Sequence, residues 1–510
     1  MKKMNEMHVN AIIVRQWLRE WDNVHFADKK HRRIPEPQFF LFTLSALQLR
    51  RLSKVYQRKA DRPRAQDTSV QRTLEKPRAE EIGRFIHGGY PWSELNENQK
   101  KQDEYSDLRM PGWLPTAIVA NILPVGAERD GSKLLAENAI RVELVDKSMA
   151  RLVLPKGFLD DDWNPNVPPL EIIDGQHRLY SFENNEQLDG DFDLPVVAFN
   201  NLDFTWQAYL FYTINIKPKK INTSLAYDLY PLLRIQDWLE KAQNGPAVYR
   251  ETRAQELTEI LWSHPESPWR GRINMLGEKR GGDVTQAAFV RSLLTSYVKR
   301  GAPIGGLFGD ELHTNKGDLL QWNRIKQGAF LIVVWQAIQT VILGMDEPWM
   351  RHLRSVIRQE SLPLLNANQT DLAFSGPYSL LATDQGVRGV LQVTNDMCFI
   401  GADILKLSEW VLDELKSDVI NDDAISESVK TLREQPVYPF LEKIARIIAE
   451  FDWRASSTPQ LDEETRRGQM VYKGSSGYKE MRLQLIRRLC DAKDQEISRI
   501  AERLRGVLKY

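Results

Sequence analysis

Five consecutive residues, Asp174, Gly175, Gln176, His177 and Arg178, carry the most chemistry in this 510-residue chain. Glycine at 175 lets the backbone turn sharply and lets a ligand approach the main chain closely. Where a helix opens after such a turn, the N–H groups of Gln176, His177 and Arg178 lack intrahelical acceptors, and with the helix dipole they favour an anion such as a phosphate. Arg178 adds a guanidinium whose paired donors match phosphate oxygens, and His177 can donate to phosphate or exchange a proton near neutral pH. The same residues have a structural use: Asp174 can cap the helix while Arg178 closes a surface ion pair. On these five residues alone the two readings are balanced.

The flanking sequence predicts how the turn is held. Leu170 to Ile173 is a short apolar β-run before Asp174-Gly175, and a helical pattern follows to Phe182, so the expected unit is strand, tight turn, helix. Leu194 to Phe199 predicts another strand, Thr205 to Thr213 a helix, and Asn215 to Ser224 a polar loop. Upstream, Leu114 to Leu123, Arg141 to Val145 and Ala150 to Leu154 read as strands, and Glu80 to His87 as a short helix. Strand and helix alternating in this order predict an α/β core. Val9 to Val24 gives no clean reading. Pro37 to Lys59 predicts a helix, with Phe40, Leu44, Leu47, Val55 and Tyr56 at three- and four-residue intervals, and Arg62 to Arg78 a basic loop holding Gln71 and Arg72.

Beyond about Leu225 helical patterns dominate: Leu225 to Ala242, Arg253 to Leu261, Thr285 to Val298, Leu319 to Met345, Pro348 to Arg358, Asn395 to Leu415 and Tyr438 to Ala449. Ser456 to Gly477 reads as a polar linker, and Tyr478 to Leu508 as one amphipathic helix with a face for a partner. The expected organisation is an α/β domain at 1–230, a helical domain at 231–455, and a linker with a C-terminal helix at 456–510.

Composition narrows the function classes. Lys and Arg total 69 and Asp and Glu total 69, so no chain-wide positive field draws the protein to nucleic acid or a membrane surface; any such contact needs a local patch. Two cysteines, Cys398 and Cys490, without metal-ligand spacing, predict no disulfide framework and no structural zinc, and place the chain in a reducing cytoplasm. No apolar stretch follows the N-terminal MKKMNEMHVN, and Ala329 to Leu343 is short for a membrane span, so it predicts a buried core helix. A P-loop, a G-x-S-x-G elbow and an H-E-x-x-H zinc helix are all absent. Asp160, Asp161 and Asp162 read as a solvated loop rather than a Mg²⁺ site. The glycines around Arg388 read as a helix N-terminus, and Gly474 to Arg482 as a flexible connection.

The DGQHR run after a β-strand resembles the signature of the DGQHR-domain family. Its members include the B component of the Dnd DNA phosphorothioation system and a component of bacterial 7-deazaguanine DNA-modification clusters. Phe211 to Leu229 (FYTINIKPKKINTSLAYDL) resembles the family's Phe-x-x-Ile-Asn segment, and Val70 to Ile86 (VQRTLEKPRAEEIGRFI) its upstream Gln-Arg element; the likeness spans residues 10 to 230. The family is similar to the ParB and sulfiredoxin superfamily, in which the strand-turn-helix binds nucleotide phosphates. The resemblance therefore implies a ParB/sulfiredoxin-like N-terminal half and a nucleoside triphosphate, ATP foremost, with Mg²⁺. It implies Asp174, Gly175, Gln176, His177 and Arg178 as the site, with Asp174, His177 and Arg178 as catalytic candidates for hydrolysis. Asn215, Lys219, Lys220 and Asn222 would flank it, while Gln71 and Arg72 stay open between a contact with DNA or phosphate and an internal carboxylate. Expected partners are DNA and other proteins of a modification or phage-defence operon, with no membrane. Two alternatives remain: a transcriptional regulator of such an operon, using the basic set Lys29, Lys30, Arg32, Arg33, Arg50, Arg51, Lys54, Arg58, Lys59, Arg62 and Arg64, and a modification-linked nuclease.

Overall fold

A computed structural model describes residues 6–26, 33–56, 74–182, 192–215, 222–228, 247–277, 284–299, 301, 303–309, 320, 322–359, 371–410 and 421–509. The chain divides into two compact units, Met1–Lys220 and Ile221–Tyr510. The first is mixed α/β and the second is mostly helical.

In the first unit the strands β1 (His8–Arg15), β2 (Gln38–Ser45), β3 (Ser53–Lys54), β4 (Ile118–Ile122), β5 (Arg141–Leu144), β6 (Met149–Val153), β7 (Leu170–Asp174) and β8 (Asp193–Asn200) form one sheet. Their spatial order is β3-β7-β4-β8-β2-β1-β6-β5. Only β3 with β7 and β4 with β8 pair in parallel; the remaining neighbours are antiparallel. Buried side chains of β2, β4, β7 and β8, among them Phe40, Ile118, Ile172 and Val196, share one core.

The helix expected over Pro37 to Lys59 is a correction. The chain is extended through β2, with Phe40, Phe42 and Leu44 buried and Leu41 and Thr43 exposed, the period-two alternation of a half-buried strand. The aromatic run Phe-Phe-Leu-Phe favours that pleated surface. At Ser45 the chain turns into α1 (Ala46–Leu52) through a capping box: the Ser45 hydroxyl accepts from the Gln48 amide at 3.3 Å, and the Gln48 side chain accepts from the Ser45 amide at 3.2 Å.

Four of the five β7 residues are buried, as in a strand covered on both faces. Against β4, Ala120 lies opposite Ile172 but Val119 lies opposite Asp174, so Ile173 is an extra residue in the ladder. Such a bulge re-aims the side chain that follows it.

In the second unit, helices span Ala247–Ser263, Gln286–Leu294, Arg324–Gly344, Pro348–Gln359, Asp384–Ile400, Asp422–Leu432, Val437–Ala449, Glu463–Met470, Ser476–Cys490 and Gln495–Leu508. Arg324–Gly344 has the length and apolar composition to cross a bilayer, but it lies in this unit's core, with Ala329 through Val333 fully buried. The expected linker at 456–477 instead contains the helix Glu463–Met470 and buries Thr458 and Gln469. The single helix expected over Tyr478 to Leu508 is two helices, because Asp494 caps a new start by accepting from the amides of Glu496 and Ile497 at 3.1 and 3.2 Å. Their apolar faces, Met481, Leu485 and Leu489, then Ile497, Ile500 and Leu504, are buried in the unit's own core rather than offered to a partner. Gly389 serves packing: a Cβ there would lie 2.5 Å from Met481 Cγ.

Candidate functional site

The turn after β7 forms as its residue types require. Gly175 sits at φ 95° and ψ 14°, in the left-handed region, and starts the short helix α3 (Gln176–Tyr180). A Cβ at this position would lie 2.6 Å from Ile118 Cδ1 and 3.0 Å from Arg178 Nη2, so the close approach also demands glycine. Across the turn, Arg178 Nη2 donates to Asp174 Oδ2 at 2.9 Å, and Nη1 donates to the Thr116 carbonyl at 2.6 Å and to the Thr116 hydroxyl. Asn215, at the end of α4 (Phe204–Asn215), donates from Nδ2 to the other Asp174 oxygen at 3.0 Å.

Burial pulls the Arg178 guanidinium below its ordinary value, Asp174 opposes that pull, and the charge of Arg78 reinforces it. Arg178 stays cationic all the same. Arg78 is exposed in α2 (Lys76–Gly88), which brings a second positive charge to the turn. Nη1 and one Nη2 hydrogen of Arg178 meet described partners, while Nε–H is neither bonded nor buried among the described residues. That donor and the second Nη2 hydrogen are the guanidinium's remaining handles for an anion.

His177 has a different setting. It is 8% exposed, and its Nε2 accepts from the Glu75 amide at 3.2 Å, which fixes the imidazole to the entrance of α2. That bond engages one of the two ring nitrogens. Gln176 is also buried.

A second cluster, which the sequence reading missed, fixes the face of the sheet beside the turn. Arg129 Nε and Nη2 donate to Glu171 Oε1 and Oε2 at 3.0 and 2.6 Å, and the guanidinium lies 4.6 Å from the Phe204 ring centre. Gln207 of α4 donates to Glu171 Oε2 at 3.1 Å and to the Leu202 carbonyl at 2.9 Å. Gln207 and Asn215, two turns apart on α4, thus hold Glu171 and Asp174, three residues apart on β7. Strict strand alternation would send those carboxylates to opposite faces; the bulge at Ile173 explains why one helix meets both. The signal for this cluster was a glutamate inside an apolar strand.

The remaining expected residues fall elsewhere. Gln71, Arg72, Lys219 and Lys220 lie outside the described residues. Asn222 belongs to the second unit, where its side chain accepts from the Ser224 amide at 3.0 Å and donates to the Gly277 carbonyl. Of the basic set weighed for DNA, Arg33 pairs with Asp203, Arg50 donates to the Phe182 carbonyl, Arg51 to the Asp160 carbonyl and Lys54 to the Asn166 carbonyl. The others of that set lie outside the described residues.

A phosphate would be met at the turn by the open donors of Arg178. A protein-bound Mg²⁺ fits less well: both Asp174 oxygens already accept hydrogen bonds, and no group of three metal-ligating side chains gathers among the described residues. A cation chelated by the nucleotide's own phosphates needs no such cage. Compared with protein-family models, with curated proteins and with solved structures, the chain matches none.

Proposed function

We propose that the first unit binds the phosphates of a nucleoside triphosphate at the Asp174 to Arg178 turn, and that the chain is a nucleotide-binding DGQHR component of a bacterial DNA-modification or phage-defence system. The observation that carries this reading is Arg178, held by Asp174 and Thr116 across a strand, left-handed glycine and helix start, with Arg78 nearby. A cation held in place is the group that recognises phosphate oxygens. The triphosphate, ATP foremost, brings Mg²⁺ with it, and a ParB/sulfiredoxin-like arrangement of the turn belongs to the same proposal.

Hydrolysis, where it occurs, places water with Asp174 or His177. DNA and the operon's other proteins are the partners this reading assigns, in the cytoplasm. No observation favours the regulator reading, since most of its basic set lies outside the described residues.

The test is calorimetric titration of the purified chain with ATP, GTP and CTP plus Mg²⁺, beside Arg178→Lys, with phosphate release measured in parallel. Replacing the guanidinium fork by an ammonium removes charge-assisted hydrogen bonds of about 1.5–3 kcal/mol, so binding should weaken roughly ten- to a hundredfold. Equal affinity in the folded variant, or no binding of any triphosphate by the folded wild type, refutes the proposal.

A further inference from the structure

A cavity of about 270 Å³ opens between α1 and the end of α3, lined by Leu47, Arg50, Arg51, Ser53, Leu179 and Tyr180. No carboxylate is among these residues. We propose that it is a second ligand site, for a nucleoside monophosphate, distinct from the triphosphate turn and independent of that reading.

The two arginines set the charge. Arg50 Nη1 donates to the Phe182 carbonyl at 3.3 Å and Arg51 Nη1 to the Asp160 carbonyl at 2.7 Å, so main-chain anchors hold both guanidinium groups at the cavity. Arg51 Nη2 also meets Asp161 Oδ1 at 3.2 Å, but that carboxylate is fully exposed. Such a pair contributes little in water, and a phosphate dianion replaces it readily. Cations in the last turn of α1 also complement the helix dipole, yet that role calls for no hollow beside them.

Leu47 and the half-buried Tyr180 supply the opposite chemistry, an apolar and aromatic wall suited to a flat ring, with Leu179 buried beneath it. The volume lies just below the usual range of about 300–1,000 Å³ for ligand pockets, which limits the occupant to one nucleotide carrying one phosphate. The Ser53 hydroxyl takes no part, as it donates to the Leu49 carbonyl at 2.5 Å. A phosphate on the arginines with a base against the wall uses both halves of the lining.

The experiment titrates the full chain with AMP, adenosine and inorganic phosphate, beside Arg51→Gln, Leu47→Glu and Arg178→Lys, with thermal melts as the folding control. Leu47 is 59% exposed and lies in the first turn of α1, where a carboxylate suits the dipole, so Leu47→Glu keeps the fold while placing a negative charge at the rim. AMP should bind at least tenfold more tightly than adenosine or phosphate. Arg51→Gln and Leu47→Glu should each weaken it tenfold or more, and Arg178→Lys should leave it unchanged. Wild-type affinity in folded Leu47→Glu overturns the proposal, as does the absence of AMP binding by folded wild type. AMP binding lost in Arg178→Lys but kept in Arg51→Gln assigns AMP to the turn and also overturns it. Loss of triphosphate binding in Arg178→Lys bears only on the turn, so the two proposals fail separately.

Discussion

Replacing Gly175 by alanine probes the turn most directly. At φ 95° an L-residue costs about 1–2 kcal/mol in backbone strain. The new Cβ would also lie 2.6 Å from Ile118 Cδ1 and 3.0 Å from Arg178 Nη2. Ile118 is fully buried and cannot retreat into solvent, so overpacking adds about 1–3 kcal/mol and the total is about 2–5 kcal/mol. Gly126 supplies the control, since it has φ 81° with nothing within 4 Å of a built Cβ, and Gly126→Ala should cost the strain of about 1–2 kcal/mol alone. Urea unfolding read by hydrogen exchange in peptides covering β4 and β7 reports the first unit apart from the second. The two variants should differ by about 1–3 kcal/mol. Only Gly175→Ala should weaken triphosphate binding, because only there must Arg178 Nη2 move. Equal destabilisation within about 0.5 kcal/mol, together with equal nucleotide affinity, refutes the claim that contact at the turn rather than backbone strain dictates the glycine.

Arg129→Ala leaves the buried Glu171 carboxylate without its cation and should destabilise the first unit by about 3–5 kcal/mol, whereas Arg129→Ala with Glu171→Leu should recover much of that loss; urea melts of both variants check it. Asn215→Leu removes the donor to Asp174 Oδ1 from an exposed helix end, so triphosphate affinity should fall several-fold in calorimetry while the thermal midpoint changes little. Burial pushes the Cys490 thiol up to about 11 and the Cys398 thiol higher still. The folded state therefore disfavours their thiolates, and stability should be intact below the unfolded thiol value of about 8.5 and decline as pH rises from there through 11. Urea midpoints between pH 8 and 10.5 should show the decline, and Cys490→Ala should lessen it; a flat profile contradicts the assignment.

The site's local unit was legible in the sequence because each signal there has one local solution: an apolar β-run, a glycine that must turn, and polar residues that open a helix. Phe40, Leu44 and Leu47 misled because their spacing suits a helix as well as Phe40, Phe42 and Leu44 suit a strand, and only sheet pairing decides between them. The bulge at Ile173 leaves no local mark, since it arises from how β7 pairs with β4, residues 50 positions upstream. Without it the meeting of Asn215 with Asp174 has no geometric reason. Thr116 and Gln207 went unnoticed for the same cause, being ordinary residues made important by partners distant in sequence. The helix break at Asp494 was readable in principle, as an aspartate followed by Glu496 is a common helix start.

The strand order also governs how the first unit can be assembled on a ribosome. β8 is the last of the eight strands to be synthesised, yet it lies between β4 and β2. Until residues 193–200 emerge, the nascent chain can hold only two separate half-sheets, β3-β7-β4 and β2-β1-β6-β5, each with an unpaired edge at the future seam. Closing that seam brings together strands whose partners are far apart in the chain, a slow and aggregation-prone step. A chain released before Asn200 would therefore contain the entire turn at Asp174 to Arg178 without the strand that unites the sheet behind it, and should be recovered as aggregate rather than as a smaller folded fragment.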